Sequence, residues 1–219
     1  MMQWEAIRTG STNVKLAGGV GAENLIVAAL SLGELRAAVR NLRANHARFI
    51  TKVVKSDVQW GSQSIEPAFI AVIHSDLEGT IRKQFGDAFT PVARYGSGAT
   101  VLQGEFGKAE NVRFLSSSLI GKRANASAAV GTAANLLSDN GTTVNLYDVI
   151  IMGSDAWAGV ALKGEYAVTP TLVRAKPSES DPLAQRSKAG FKTMQGAIVT
   201  QPAHTCKIVC GALKDSLLA

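Results

Sequence analysis

The sequence predicts an α+β fold. Two stretches with helical apolar spacing and capping signals stand among many short apolar runs that are typical of strands. These runs do not alternate with helices at the regular spacing of βαβ units, so a doubly wound parallel sheet is disfavoured. With 219 residues, 46% of them hydrophobic, the chain is long enough for a substantial core in one large domain or two small ones.

The first helix is predicted from about Leu32 to about Asn45. Ser31 and Glu34 have the spacing of a capping box, in which each side chain satisfies a backbone amide at the start of a helix. One face of this helix is apolar, with side chains at intervals of four and three residues: Leu35, Val39 and Leu42.

The opposite face of this predicted helix carries Arg36, Arg40 and Arg43. An amphipathic helix packs its apolar side on the protein and leaves the other side free for solvent, a neighbouring subunit or phosphate. If the chain assembles with copies of itself or binds DNA, these three arginines are the residues we expect at a subunit interface or facing DNA; the alternative is a face that meets only solvent.

A second, shorter helix is predicted after Ser75. Ser75 and Glu78 repeat the capping-box spacing, and Gly86 stands where a helix would end. The apolar residues between them recur at the interval of one helical turn: Leu77, Ile81 and Phe85.

The strands are predicted from alternating or continuous apolar residues. Phe69–Ile73 is a continuous apolar run, which is typical of a strand buried on both faces. Further strands are expected in these ranges: 52–64, 112–115, 144–152, 167–175, 191–200 and 205–209.

Three other segments are interpreted more coarsely. The half-alternating residues from Trp4 to Leu16 predict an extended segment, and Ser154-Asp155 predicts the cap of a short helix over residues 156–162. The alanine-rich stretch from Ala124 to Leu137 fits a weak helix or a loop equally well.

The charge of the chain permits contact with nucleic acid and does not require it. Lys and Arg exceed Asp and Glu by six, and the isoelectric point is near 9.5, but no basic run forms a dedicated arm. Charged residues make up only 18% of the chain, against roughly 25% in average soluble domains. This suits a subunit that buries much of its surface against neighbours, and equally a monomer rich in Ala and Gly.

The two cysteines, Cys206 and Cys210, are too few for a secreted disulfide scaffold and fit synthesis in a reducing compartment. No apolar run approaches the roughly 18 residues of a membrane helix, and the first residues lack the order of a signal peptide. We therefore expect a soluble product made in the cytoplasm, without a membrane partner.

Candidate catalytic and metal-binding patterns are weak. The segment ending at Gly121-Lys122 fails the phosphate-loop pattern at two positions, and Gly96-Ser97-Gly98 lacks the setting of a nucleophile turn. His204, Cys206 and Cys210 offer three ligands where a closed zinc site needs four; the alternative is one buried face of a strand. No carboxylate lies near enough in sequence to make His46 a catalytic candidate, and His74 too is expected to be structural. We expect no enzyme and no cofactor.

From about Leu30 to about Val209 the chain resembles the major capsid proteins of tailed phages, in particular the family of the coliphage N-four capsid protein. The order and spacing of several pieces carry this resemblance: the Leu32 to Asn45 helix, Phe69 to Asp76, Pro91-Val92, Leu102-x-Gly104-Glu105-x-Gly107, Val112-Arg113-Phe114, Asp181-Pro182-Leu183-x-Gln185-Arg186 and Gly190-Phe191-Lys192.

The resemblance implies the Hong Kong 97 type of shell fold, with a spine helix, a peripheral sheet and an axial domain. By position, residues 1–30 look like an extended N-terminal segment and a possible remnant of the extended loop. Residues 31–89 look like the peripheral domain with the spine helix, 90–164 like the axial domain, and 165–219 like strands returning to the periphery. Capsid proteins of this family have a longer arm and loop before the spine helix; processing, trimming or a short natural variant would account for the difference.

The function implied by the resemblance is structural. Copies of the chain would form hexamers and pentamers of an icosahedral head that encloses double-stranded DNA by non-specific contact. Scaffold, portal or decoration proteins would be further partners, and the protein would reside in the virion. Two alternatives stay open: an encapsulin-like shell of a cellular nanocompartment, and a basic nucleic-acid-binding module suggested by the charge of +6.

Overall fold

The structure is a computed structural model that describes residues 2–54, 62–127, 129, 135–161, 168–177, 179, 183, 185, 187–193 and 195–218. This part of the chain contains three α-helices: α1 (Met2–Gly10), α2 (Leu32–Ala44) and α3 (Leu77–Phe85). It also contains twelve strands: β1 (Val14–Leu16), β2 (Ile50–Val54), β3 (Ser62–Ile73), β4 (Phe89–Pro91), β5 (Glu105–Ala109), β6 (Val112–Ser116), β7 (Tyr147–Met152), β8 (Trp157–Ala161), β9 (Val168–Val173), β10 (Lys188–Thr193), β11 (Gln195–Val199) and β12 (Thr205–Cys210).

One mixed sheet of eight strands organises the fold. Its order is β1-β12-β7-β3-β6-β5-β4, and β2 pairs with β3 beside this path. The β1–β12 and β3–β6 pairs are parallel, whereas the other pairs are antiparallel. Few helices and a large mixed sheet confirm the predicted α+β class.

The centre of the sheet is buried on both faces, as the continuous apolar runs predict. Every residue of β7 is buried, and so are most residues from Ala68 to Ile73 in β3. The side chains on one face of these strands, such as Phe69 and Val149, join one core with the apolar face of α2 and with β12. Those on the other face, such as Ile150 and Met152, form a second cluster with Ile7. Because burying a large apolar side chain contributes about 1.5–3 kcal/mol, this layer is a major source of the stability of the fold.

The α2 helix begins and ends as local chemistry dictates. Its N-terminus has the predicted capping box: the Ser31 hydroxyl accepts from the Glu34 amide at 3.3 Å, and the Glu34 carboxylate accepts from the Ser31 amide at 2.9 Å. At the C-terminus, the His46 amide donates to Arg43 and the Ala47 amide to Leu42, with His46 in the left-handed region at φ 58°. This pattern is a Schellman motif, which ends the helix by satisfying its last carbonyls.

The predicted cap of α3 is wrong, although the helix itself is confirmed. The N-cap residue is Asp76, and no side chain caps the first amides. Glu78 does not return to Ser75; its carboxylate accepts a hydrogen bond from the Ser116 hydroxyl of β6 instead. The helix ends at Gly86, whose φ of 48° suits a residue without a side chain.

Two further predictions are wrong. Residues from Trp4 to Gly10 form α1 rather than an extended segment, because Trp4 and Ile7 pack on Ile150 and Met152 of β7. The short helix expected after Ser154-Asp155 is strand β8. The following three paired segments confirm predicted strands: β6, β9 and β12.

Two antiparallel ribbons stand beside the main sheet, β8 with β11 and β9 with β10. Residues 128 and 130–134 of the alanine-rich stretch from Ala124 to Leu137, and residues 181, 182, 184 and 186, lie outside the described residues. The main sheet takes strands from all four segments 1–30, 31–89, 90–164 and 165–219, and their assignment as domains stays a prediction. Within the described residues, none of the helices has the length and apolar character needed to cross a membrane.

Candidate assembly surfaces

The arginine face of α2 is exposed, opposite the buried residues Leu35, Ala38 and Leu42. Arg36 is held by Glu110 in the turn between β5 and β6, with its Nε and Nη2 atoms each 2.7 Å from Glu110 Oε1. Because both side chains of this pair are partly exposed, it contributes at most about 1 kcal/mol and serves mainly to orient Arg36.

Arg43 lies over an aromatic ring, with its guanidinium carbon 5.4 Å from the centroid of Phe49. Phe49 in turn contacts the buried Phe69 at a centroid distance of 4.7 Å, which anchors this end of the surface on the core. Arg40 stands between the two held arginines, and within the described part of the chain it has no hydrogen-bond or salt-bridge partner. The three guanidinium groups line a shallow depression of about 250 Å³, and Arg40 is the one free to bind an anionic group there.

A buried ion pair fixes the loop before β5. Arg113 Nε lies 2.8 Å from Glu105 Oε1, and the same carboxylate accepts from the Tyr95 hydroxyl at 2.8 Å and from the Leu102 amide at 2.9 Å. A second nitrogen of Arg113 donates to the carbonyl of Thr100. Burial, together with the hydrogen bond to Glu105, raises the pKa of Tyr95, so the hydroxyl stays protonated as a donor.

A second ionic network joins the N-terminal segment to the sheet. The buried Asp148 of β7 accepts from Arg123 Nη2 at 2.6 Å and lies 3.8 Å from Arg8 Nη1 of α1. Arg123 also contacts Glu23, and Arg8 contacts Glu5. The depression above this network, about 410 Å³, is therefore lined by cations that already have carboxylate partners. This arrangement cross-links elements; it leaves little free positive charge for a ligand.

The three candidate metal ligands do not converge. Cys206 and Cys210 are fully buried in β12, on the same side as Ile208, while His204 Nδ1 lies 3.1 Å from the carbonyl oxygen of Ser154. Burial raises the pKa of Cys206 to about 11, so its thiol is protonated at neutral pH. In the ranges that the structure describes, no group of three or more His, Cys, Asp or Glu side chains is placed to hold a metal ion.

His74 belongs to a small polar cluster at the end of β3. Its Nδ1 accepts from the Asp76 amide at 3.1 Å, and Asp76 Oδ2 accepts from the Tyr147 hydroxyl at 2.8 Å. Burial raises the pKa of Tyr147, with the nearby Asp76 carboxylate contributing in the same direction. These bonds satisfy the polar atoms where a buried strand meets α3, which is a structural role.

The exposed apolar residues are the feature that sequence reasoning missed. Leu172 and Phe191, on β9 and β10, are 66% and 76% exposed. The signal lay in residues 188–192, where two lysines alternate with apolar side chains. This period of two indicates a strand with Ala189 and Phe191 on one face and Lys188 and Lys192 on the other.

Comparison with solved structures identifies relatives of this fold. A chain from the capsid of Ralstonia phage GP4 matches with a TM-score of 0.58 and 12% identity, over 94% of this chain and 53% of that one. A chain from the capsid of the cyanophage P-SCSP1u matches with a TM-score of 0.52 and 13% identity, over 94% of this chain and 59% of that one. This chain has the fold of those phage capsid chains.

At these identities the likeness concerns the fold, and the chain spans little more than half the length of the two chains it matches. No protein-family model matches the sequence, and no curated protein matches it significantly.

Proposed function

We propose that the chain is a structural subunit of a tailed-phage capsid with the Hong Kong 97 type of fold. Copies of it assemble into hexamers and pentamers of an icosahedral head around double-stranded DNA. The observation that carries this proposal is the match of 94% of the chain to subunits of two phage capsids. The closer relationship to the coliphage N-four family stays a prediction.

Shell formation needs geometry rather than catalysis. Rotational symmetry places one surface of each subunit against a different surface of the next, so a small set of heterologous contacts closes a ring. Each contact can be weak, because every subunit makes several at once. A buried sheet cross-linked by ion pairs such as Arg113–Glu105 keeps these surfaces in fixed positions.

The arginine face of α2 is our candidate for an intersubunit or DNA-facing surface. Arg36 and Arg43 are oriented by Glu110 and Phe49, while Arg40 stays free for a partner. The net charge of +6 favours contact with DNA phosphates, which is non-specific and weakens with salt. A carboxylate of a neighbouring subunit is the other ligand that suits a guanidinium group.

Electron microscopy of the purified protein tests the proposal most directly. We expect uniform hollow shells or separate capsomers with five-fold and six-fold symmetry. A monomer or dimer whose affinity for DNA falls steeply with salt would overturn it in favour of a nucleic-acid-binding module. Shells that enclose cargo proteins in their native host, without a genome, would support the encapsulin-like alternative instead.

Charge reversal tests the arginine face separately. The double variant R40E/R43E is expected to keep its fold, because both side chains are exposed, and to lose assembly. The matched control K52E/R94E changes the net charge equally at two other exposed positions. Normal particles from R40E/R43E would overturn the role of this face, and equal loss in both variants would attribute the effect to total charge.

A further inference from the structure

His74 lies where three elements of the fold meet. It directly follows the last residue of β3, its carbonyl oxygen accepts from the Leu77 amide of α3 at 3.1 Å, and its ring lies 5.5 Å from the ring of Tyr147 on β7. The side chain of His74 is only 13% exposed. A change in the hydrogen bonds of this ring therefore acts on a packed junction rather than on a free surface group.

A hydrogen bond to the backbone fixes the charge of the His74 ring. The Asp76 amide lies 3.1 Å from Nδ1, and a backbone amide can only donate. Nδ1 must therefore carry a lone pair, so the ring is neutral and its proton is on Nε2. Asp76 is the N-cap residue of α3, and its own side chain makes no capping hydrogen bond. Neutral His74 thus supplies a side-chain contact that holds the start of this helix.

The same ring nitrogen faces a second partner. Asp76 Oδ1 lies 3.4 Å from Nδ1, while Oδ2 of this carboxylate accepts from the Tyr147 hydroxyl at 2.8 Å. Since the neutral Nδ1 has no proton, the 3.4 Å contact is not a hydrogen bond. A proton on Nδ1 would turn this contact into a charge-assisted bond of about 2.7–2.9 Å, and it would take the acceptor away from the Asp76 amide. The amide and the carboxylate are therefore alternative partners of one atom.

The groups around the ring act in opposite directions. The Asp76 carboxylate favours a protonated ring, whereas the N-terminus of α3, the positive end of the helix dipole, favours a neutral one. On β7, burial raises the pKa of Tyr147, and the hydrogen bond to Asp76 acts in the same direction, so its hydroxyl stays a neutral donor. Asp139 adds a smaller negative potential at Tyr147, and Glu78 of α3 is turned toward β6. The surroundings of His74 thus supply a partner for each of its two charge states.

We propose that His74 is a pH-dependent switch at this junction. Histidines change charge between about pH 5 and 8. At the upper end of this range, the neutral ring accepts from the Asp76 amide and holds the start of α3. At the lower end, the protonated Nδ1 donates to the Asp76 carboxylate, and the Asp76 amide loses its partner. The carboxylate keeps its bond from the Tyr147 hydroxyl, so the change loosens the first turn of α3 and leaves β7 in place.

Magnetic resonance of isotope-labelled protein tests the exchange of partners. From about pH 8 to about pH 5, the nitrogen resonance of His74 Nδ1 should move from the range of a bare ring nitrogen to that of a protonated one. The amide proton of Asp76 should shift upfield over the same range, because it loses its acceptor. The matched control H74N offers a side-chain oxygen that accepts from the amide two residues on and takes up no proton, so its Asp76 amide should stay constant.

Removing the carboxylate tests the second partner. In D76N the Tyr147 hydroxyl keeps an oxygen acceptor, but a protonated His74 has no anionic partner. The folded D76N chain then resists a proton that the unfolded chain takes up, so its free energy of unfolding falls as the pH is lowered from about 8 to about 5. Over this range, urea denaturation should show the unfolding equilibrium constant of D76N rising about tenfold more than that of the control H74N/D76N. Equal changes in the two variants would overturn the role of Asp76.

The outcomes separate the switch from the shell function. Wild-type protein that never forms particles overturns the shell function alone, because the resonances of His74 and Asp76 are measured in the free subunit. An Asp76 amide that stays constant while His74 gains its proton overturns the switch alone. A His74 Nδ1 that already carries a proton at about pH 8 overturns it as well, and so does a ring that stays neutral at about pH 5.

Discussion

Arg113 Nε lies 2.8 Å from Glu105 Oε1, and both side chains are shielded from solvent, with exposed fractions of 2% and 0%. The two residues belong to adjacent antiparallel strands, β5 and β6. Desolvation makes such a pair costly to break, because the remaining charge is left buried without its counter-ion. The pair therefore holds the 95–105 loop against the sheet.

Removing the charge of Glu105 tests this role. We expect E105Q to lower the free energy of unfolding by about 3–5 kcal/mol, measured by urea denaturation. The control E66Q removes a carboxylate that lies 2.6 Å from Lys108 Nζ but is mostly exposed, and should cost no more than about 1 kcal/mol. Equal losses in the two variants would show that burial does not decide the effect.

The caps of α2 and α3 give a second, paired prediction. The Ser31 hydroxyl accepts from the Glu34 amide, so S31A should lower the free energy of unfolding by about 1 kcal/mol. The same pattern at Ser75 forms no side-chain cap, and S75A should stay within about 0.5 kcal/mol of the wild type. Thermal unfolding of the two variants compares them; a larger loss for S75A would mean that α3 is capped by Ser75 after all.

The elements that sequence predicted correctly depend on local signals. The α2 helix carries its capping box, its apolar period and its stop within sixteen residues, from Ser31 to His46. The buried strands β3 and β7 follow from continuous apolar runs. At α3 the same local pattern misled, because Glu78 finds a stronger partner in Ser116, which lies 38 residues away in sequence.

The parts that could not be predicted depend on contacts between distant residues. Asp155 was expected to help cap a helix; its carboxylate accepts from Arg48 at 2.9 Å, and its φ of 62° forms the turn that leads into β8. The exposed arginines of α2 followed from helical periodicity. Their partners did not, since Glu110 is 74 residues from Arg36.

Gly107 in β5 provides a test of close packing between strands. A Cβ atom at this position would lie 2.2 Å from Phe89 Cζ and 2.8 Å from the carbonyl oxygen of Thr90, which β4 cannot accommodate without moving. We expect G107A to lower the free energy of unfolding by about 1–3 kcal/mol in urea denaturation. The control G96A adds a methyl group in open space and should change stability by less than about 0.5 kcal/mol. If G107A leaves the free energy of unfolding unchanged, strand β4 at the edge of the sheet can move at little energetic cost.

Cys206 gives a prediction about pH. Burial raises the pKa of its thiol to about 11 in the folded chain, against about 8.5 when unfolded. Between these values the unfolded chain loses a proton that the folded chain keeps, so the free energy of unfolding falls as pH rises; below about 8.5 this contribution to stability is fully present. Burial raises the pKa of Cys210 as well, which adds to the same slope.

The variant C206A isolates this effect. The cavity left by the substitution lowers the free energy of unfolding at every pH, whereas the loss of the thiol makes this free energy depend less steeply on pH. Urea denaturation at pH 8.5 and 9.5 should show the wild type losing about 1 kcal/mol more than C206A over this interval. Burial also raises the pKa values of Tyr95 and Tyr147, so these tyrosines lower the free energy of unfolding at high pH as well, equally in the wild type and in C206A. The interval stays below pH 10, at which an unfolded tyrosine is about half ionised. Identical slopes would mean that the folded thiol ionises as readily as the unfolded one, which is incompatible with a sealed core around β12.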